Sequence, residues 1–455
     1  MDSTITISKQ EYTELLSLKQ AYIELLPLKQ LVIQLQEEIR LLKNGKSSQT
    51  SNTAPSTDIG RSNVKSLREA SSKKVGGQTG HEGSTLLMTA TPNKQIHHTL
   101  HYCNHCGADL STTENMLTEK RQEIVIPPVT AQYVEHLVYK KTCTCCQQIS
   151  QSNFPAHIKS PIQYGATVAA QIAYLSVYQY LPMYRLSDAM QSMYGIKMSV
   201  GTVKNMLSQM AQKALPSYHI IQQKIQNSKV VGSDETGSKI ASKTGWFFTW
   251  QNSALTFIVA ATSRGFATIK HYFEDGFKKA VYVSDCLATQ LKVAAHKHQL
   301  CVVHLLRELN NFEDALQCSW STTLKQLLKE SIELKKQLVT ADYITKPIAV
   351  IALSNKILQH LQTPLTITHN KLNAFVERLQ KHQNSLLTFL DYEDVPPDNN
   401  GSERAIRNIK VKTKVSTQFR TIEGAQEFAI LRSVADTATK NGQSAFEAFN
   451  LIATL

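Results

Sequence analysis

Ser228-Lys229-Val230-Val231-Gly232-Ser233-Asp234 is a short apolar run that closes on a carboxylate. Ala280-Val281-Tyr282-Val283-Ser284-Asp285 repeats the design further along the chain. Between them, Trp246 to Trp250 and Leu255 to Ala261 read as strands around a Gln251-Asn252-Ser253 turn. Phe266 to Phe273 has helical spacing, and Leu300 to Val303 reads as another short strand. The expected order is strand, strand, strand, helix, strand, helix, strand, helix. In that order the first and fourth strands are parallel neighbours, so Asp234 and Asp285 would face each other at a switch point of an α/β sheet. One aspartate at a strand end is ordinarily a cap or turn residue; two in this order are read as a set.

A third acid comes from the far end of the chain. Pro397-Asp398-Asn399-Asn400-Gly401-Ser402-Glu403-Arg404-Ala405-Ile406-Arg407-Asn408-Ile409-Lys410-Val411-Lys412 places Glu403 at the start of a basic helix. Helical spacing puts Glu403, Arg407, Lys410 and Lys414 on one face, with Ala405, Ile406 and Ile409 on the opposite, buried stripe. Taken alone, Asn400-x-x-Glu403 reads first as a capping box; the two upstream acids shift that reading. The order of elements is that of an RNase H-like core, in which Glu403 would join both aspartates. Three converging carboxylates need cations to stay ionised, and hard oxygen donors suit Mg²⁺ or Mn²⁺. Two such ions about 3.5–4 Å apart suit phosphodiester chemistry. Glu235 should point to the other face of its strand, while Asp275 and Asp398 lie in turn-like segments.

Gly232-Ser233-Asp234-Glu235-Thr236, Val283-Ser284-Asp285 and Asp398-Asn399-Asn400-x-x-Glu403-Arg404 resemble the motifs of a DDE transposase. More narrowly, the chain resembles the large transposase of the bacterial insertion-sequence-66 family from about Gly76 onward, including Phe419-Arg420-x-x-x-Gly424-Ala425. The resemblance implies catalysis and metal binding by Asp234, Asp285 and Glu403, with metal-dependent strand cleavage and strand transfer at terminal inverted repeats. It also implies a zinc-binding N-terminal module that touches DNA and small accessory proteins of the same element. Cys301-Val302-Val303-His304 would belong to the core's edge, packing or orienting it rather than holding metal.

The charge balance agrees with a DNA partner: 49 Lys and Arg against 36 Asp and Glu. A basic excess favours polyanions without specifying a fold. Arg404, Arg407, Lys410, Lys412 and Lys414 are the expected phosphate contacts, and Lys43 to Lys74 forms a second basic stretch. No apolar run approaches the ~18 residues of a membrane span. Met1-Asp2-Ser3-Thr4 lacks the look of a secretory signal, which points to a cytoplasmic, nucleoid-associated protein.

Of eight cysteines, four pair as Cys103-x-x-Cys106 and Cys143-x-x-Cys146, the pattern of a tetrahedral Zn²⁺ site. Cys145 leaves the second pair ambiguous, and a redox dithiol is the alternative. Glu123 to Ile126 and Tyr133 to Tyr139 should form a hairpin between the pairs. At the N-terminus, Leu18, Leu25, Val32 and Ile39 repeat every seven residues, as do Ala21, Leu28, Leu35 and Leu42. That is a coiled-coil seam fit for self-association, or an amphipathic helix on its own domain, with Pro27 expected to kink it. Helices around Pro182 to Gly195 and after Ser199 resemble helix-turn-helix.

The organisation expected is therefore multidomain α/β plus α. It comprises a coiled-coil-like helix (1–43), a flexible basic linker (44–95), a zinc-binding module (96–156) and a helical, helix-turn-helix-like region (157–222). An RNase H-like core (223–304) follows, then an α-helical insertion (305–392) and the C-terminal core helices with Glu403 (393–455). A homo-oligomer holding two DNA ends suits this layout. Two other classes stay open: a non-catalytic zinc-dependent DNA-binding repressor, and an RNase H-like nuclease without strand transfer.

Overall fold

Val230–Ile240 alternates residues between two covered faces, and around it the computed structural model assembles a five-stranded mixed sheet. Residues 8–43, 80, 82–83 and 85–455 are described, 37–43 by backbone alone. The basic stretch beyond Lys43, up to Lys74, therefore lies outside what is described, as do the side chains of the seam positions Ile39 and Leu42. The chain divides into two units, Lys65–Tyr133 and the rest.

The larger unit opens with helix α1 (Lys9–Lys43), which runs through Pro27 instead of breaking there. The carbonyl four residues earlier, on Ile23, loses its donor, but that residue is solvent-exposed and water can serve it. Strands β1 (Lys140–Thr142) and β2 (Ile149–Gln151) form a small antiparallel ladder. Helices α2 (Ala166–Ala173), α3 (Met183–Tyr194) and α4 (Val200–Gln226) follow. As the sequence suggests, Gly195 ends α3 in the left-handed region, and Ser199 Oγ accepts from Thr202 N to cap α4. Between α2 and α3, Tyr174–Tyr178 winds as a π-helical turn.

The sheet comprises β3 (Val230–Ile240), β4 (Lys243–Gln251), β5 (Thr256–Ala261), β6 (Phe277–Ser284) and β7 (Ala295–Leu300). Helices α5 (Phe266–Tyr272) and α6 (Ala288–Leu291) connect its later strands. Strand order is β5-β4-β3-β6-β7, antiparallel among the first three and parallel for β3–β6 and β6–β7. The expected order of elements is present, with two corrections. β3 does not end at Asp234: it continues six residues to Ile240 because Ala241 and Ser242, both at positive φ, close a tight hairpin onto β4. The last strand is Ala295-His296-Lys297-His298-Gln299-Leu300, not 300–303. It is the sheet edge, so its first residues are polar and only its end is buried.

Helices α7 (Val302–Leu316), α8 (Ser319–Gln337), α9 (Ile348–Leu361) and α10 (Asn370–Lys381) fill the stretch before the third acid. The chain then closes with α11 (Asn400–Ser416), α12 (Ile422–Lys440) and α13 (Ala445–Thr454). Phe247, Phe248, Trp250, Phe257 and Phe273 are fully buried at the centre of the core.

The smaller unit is largely irregular where described. Gln122 holds Thr89 through two hydrogen bonds of 2.8 Å, and Tyr102 bridges Asp109 around a tight turn. Residues 123–126 and 133–139, of which 134–139 belong to the larger unit, are expected as a hairpin; they carry no ladder, and their apolar side chains other than Val138 are exposed. No helix among the described residues is long and apolar enough to cross a membrane.

Candidate active site

Parallel pairing of Gly232 with Val283 is the last step of the β3–β6 ladder. Asp234 and Asp285 each lie two residues beyond that pair, so the backbone delivers both acids to the same end of the ladder. Asp234 is buried and accepts from the Glu235 N–H at 2.9 Å. Asp285 is the first residue after β6, and its carboxylate accepts from Leu287 N at 3.0 Å, a local turn bond.

A chain of hydrogen bonds ties this end of the β3–β6 ladder to the helix of the third acid. Cys301 N donates to the Ser284 carbonyl at 2.8 Å, beside Asp285. Asn399 N donates to Cys301 Sγ at 3.2 Å, and Asn399 Nδ2 to the Ser233 carbonyl at 2.6 Å, beside Asp234. Ser402 Oγ donates to Asn399 Oδ1 at 2.6 Å, and Glu403 N to the Asn399 carbonyl at 3.1 Å. The approach is close enough to require glycine: a Cβ on Gly232 would stand 2.8 Å from Asn399 Oδ1 and 2.9 Å from Ser402 Oγ. Asn400-x-x-Glu403 is therefore not a capping box. Asn399 occupies the cap position with its side chain spent on β3, and the Glu403 carboxylate turns to α7.

There Arg307 grips Glu403 with Nη1–Oε1 3.1 Å and Nη2–Oε2 3.4 Å, and His304 Nε2 lies 3.7 Å from the same carboxylate. Burial lowers the His304 pKa, with Glu403 pulling the other way. Burial likewise raises the Asp285 carboxyl, opposed by the Leu287 N–H and then by Arg264. Lys410 is half-buried, its pKa brought down to about 8 by burial while Asp234 opposes the shift. Of the three acids, Glu403 is ion-paired with Arg307, while Lys410 lies in the field of Asp234 and Asp285 in the fields of Arg264 and Arg378. Among the described residues no three His, Cys, Asp or Glu side chains are gathered to hold a metal. The backbone brings the three carriers together, while the Glu403 side chain is held by Arg307. As a donor set, three carboxylates, Asp234 buried and the other two half-buried, still suit a hard divalent cation once Glu403 leaves Arg307.

Glu235 sits on the opposite face of β3 from Asp234, as alternation requires. It meets Arg264 and Gln290 there, and its carboxyl is raised by burial and then by the charge of Asp285. Of the expected DNA contacts, Arg404, Arg407 and Lys414 are exposed on α11. Lys412 must be removed from that set: it is buried, and Nζ donates to the carbonyls of Ser176 at 3.1 Å and Leu181 at 3.4 Å. Sequence reading missed Asn399, Arg264 and Arg307 as parts of the site; only Asn399, beside Glu403, stood in a motif.

The two cysteine pairs fall in different units, and each forms the same turn. Gly107 N donates to the Cys103 carbonyl and Gln147 N to the Cys143 carbonyl, both at 2.9 Å, with Gly107 and Gln147 at positive φ. Backbone N–H groups of His105 and Cys106 lower the Cys103 thiol pKa; those of Cys146 and Cys145 do the same for Cys143.

Residues 161–427, more than half of the chain, match the model of one family, described as Transposase IS66 family. None of the curated proteins matches the chain.

Proposed function

Because the chain belongs to the Transposase IS66 family, we propose that it is a DNA transposase with an RNase H-like core. It would cut at the terminal inverted repeats of an insertion sequence and join the freed 3′ hydroxyl to target DNA. The observation that carries this reading is the hydrogen-bond chain from Ser233 through Asn399 and Cys301 to Ser284, which ties three acid-bearing segments together at the end of the β3–β6 ladder.

Asp234, Asp285 and Glu403 would hold the divalent ions, Mg²⁺ or Mn²⁺. When bound, such a pair supplies an activated attacking oxygen and stabilises the leaving oxygen of a phosphodiester. The rest falls to the chain itself. Arg404, Arg407 and Lys414 on the exposed side of α11 attract the backbone of the scissile strand, with affinity that drops as salt rises. Lys410, beside Asp234, keeps positive charge near the reacting phosphate. Arg307 pairs with Glu403, and an incoming phosphate would compete for its guanidinium. Each of the matched turns presents one thiol, Cys103 or Cys143, biased toward the thiolate, which suits a Zn²⁺ ligand. Terminal sequences would be read by this module and by α3–α4.

Cleavage of a terminal inverted repeat in Mg²⁺ by wild type and by Asp285→Ala tests the assignment. Activity should be lost in the variant. Equal cleavage by both would remove this active site and leave a DNA-binding protein without catalysis. Cutting without joining to target DNA would instead mark a nuclease.

A further inference from the structure

Arg264 lies in the loop between β5 and α5, outside every motif considered above. Its Nε and Nη2 both donate to Glu235 Oε1, at 3.0 and 2.6 Å, and its guanidinium carbon stands 4.7 Å over the Trp246 ring. Trp246 faces Gly237 across the β3–β4 ladder, where the missing side chain leaves the indole uncovered by its partner. The Glu235 side chain is 1% exposed, whereas that of Arg264 is 43% exposed.

A second layer fixes Glu235 from behind. Gln290 Nε2 donates to its Oε2 at 2.5 Å, Tyr282 Oη donates to Gln290 Oε1 at 2.6 Å, and Trp250 Nε1 donates to Tyr282 Oη at 3.2 Å. All four of these inner side chains are buried. Taking a carboxylate out of water costs several kcal/mol, and an apolar replacement of an ion pair is often neutral or stabilising. A network of this size is a poor device for stability alone. What it achieves is one guanidinium held rigid at the surface, within electrostatic reach of Asp285. Among the described residues Nη1 has no hydrogen-bond partner, so donors remain for a ligand.

We propose that Arg264 is a preorganised contact for a DNA-backbone phosphate next to Asp285, with Glu235 and Trp246 as its positioning residues. The inference rests on the transposase reading and adds a phosphate subsite on the face of β3 away from α11. A fixed planar fork suits a phosphate and loses little entropy on binding.

The test uses the full chain and DNA carrying its terminal repeat. Binding without divalent ion, titrated against salt, should show a log–log slope shallower by about 0.9 in Arg264→Gln, the value of one lost phosphate contact. Cleavage in Mg²⁺ should fall about tenfold or more, with partial rescue in Arg264→Lys. Because Arg264→Gln strands a buried carboxylate, the double variant Arg264→Gln/Glu235→Gln is needed: it should regain thermal stability and stay deficient in both assays. An unchanged salt slope, or recovery of cleavage in the double variant, would overturn the proposal and leave an ordinary ion pair. A wild type that binds but never cleaves would strike the transposase reading instead, while the binding arm still decides Arg264.

Discussion

Lys412 carries its ammonium into the carbonyl end of the α2 segment. The π-helical turn at Tyr174–Tyr178 frees carbonyls there, and Lys412 Nζ takes those of Ser176 and Leu181 while Arg432 Nη1 takes that of Val177. Burial pulls the Lys412 pKa to about 8 from 10.5. Between those values the unfolded chain binds the proton and the folded chain does not, so this residue's contribution to stability should rise with pH across that window. Replacing it by Met in Lys412→Met should remove that rise. Urea denaturation at pH 7.5 and pH 10 would show it: the stability difference between variant and wild type should move by roughly 1–3 kcal/mol toward wild type. A difference independent of pH would refute it. The burial was legible, since position 412 is seven residues beyond Ala405 and so on the apolar stripe; its charge misdirected the reading. The Arg307–Glu403 pair was not legible, because nothing local links a helix at 302–316 to one at 400–416. Arg307 competes with any divalent ion for Glu403, so Arg307→Gln should bind Mn²⁺ about 3- to 10-fold more tightly without DNA. Paramagnetic titration would measure it, and unchanged affinity would count against Glu403 as a ligand.

At the scale of elements, the strand-and-helix order around Asp234 and Asp285 was legible because buried strands and amphipathic helices carry their periodicity locally. Strand limits were less so. Ala241-Ser242 lacks the Asn-Gly or Asp-Gly signature of a two-residue hairpin, which hid the second half of β3, and the polar edge strand β7 resembled a loop. How α11 seats on β3 depends on contacts distant in sequence, with Gly232 as its one local sign. Gly232→Ala would push a Cβ to within 2.6 Å of Gln251 Nε2 and against Asn399 and Ser402, tilting Glu403 away from Asp234. Cleavage should drop roughly a hundredfold, as misplacement by an ångström can cause. The fold should lose only about 1–3 kcal/mol. Asn399→Ala, which removes the amide that holds Ser233, should act in the same direction. Full activity in both variants, measured on the same DNA, would mean that this seat does not set the glutamate's position.

For the whole molecule, the core was legible, whereas oligomer contacts would leave no trace in a single chain beyond periodicity. Helix α1 supplies that periodicity. Leu18, Leu25 and Leu28 are 65, 59 and 55% exposed, and Val32 and Leu35 are exposed as well. A soluble helix that is apolar around much of its circumference gains by burying those side chains, at about 25 cal/mol per Å² of apolar surface removed from water. A second copy of the same heptad seam is the partner it fits. Removal of residues 1–43 should therefore convert an oligomer into a monomer by light scattering at micromolar concentration. Single-end cleavage should survive, because Asp234, Asp285 and Glu403 lie on elements far along the chain. Joining of two ends should fall, because the link between protomers is gone. A truncated protein of unchanged mass per particle would show that α1 packs within its own chain and that pairing of DNA ends must be arranged elsewhere.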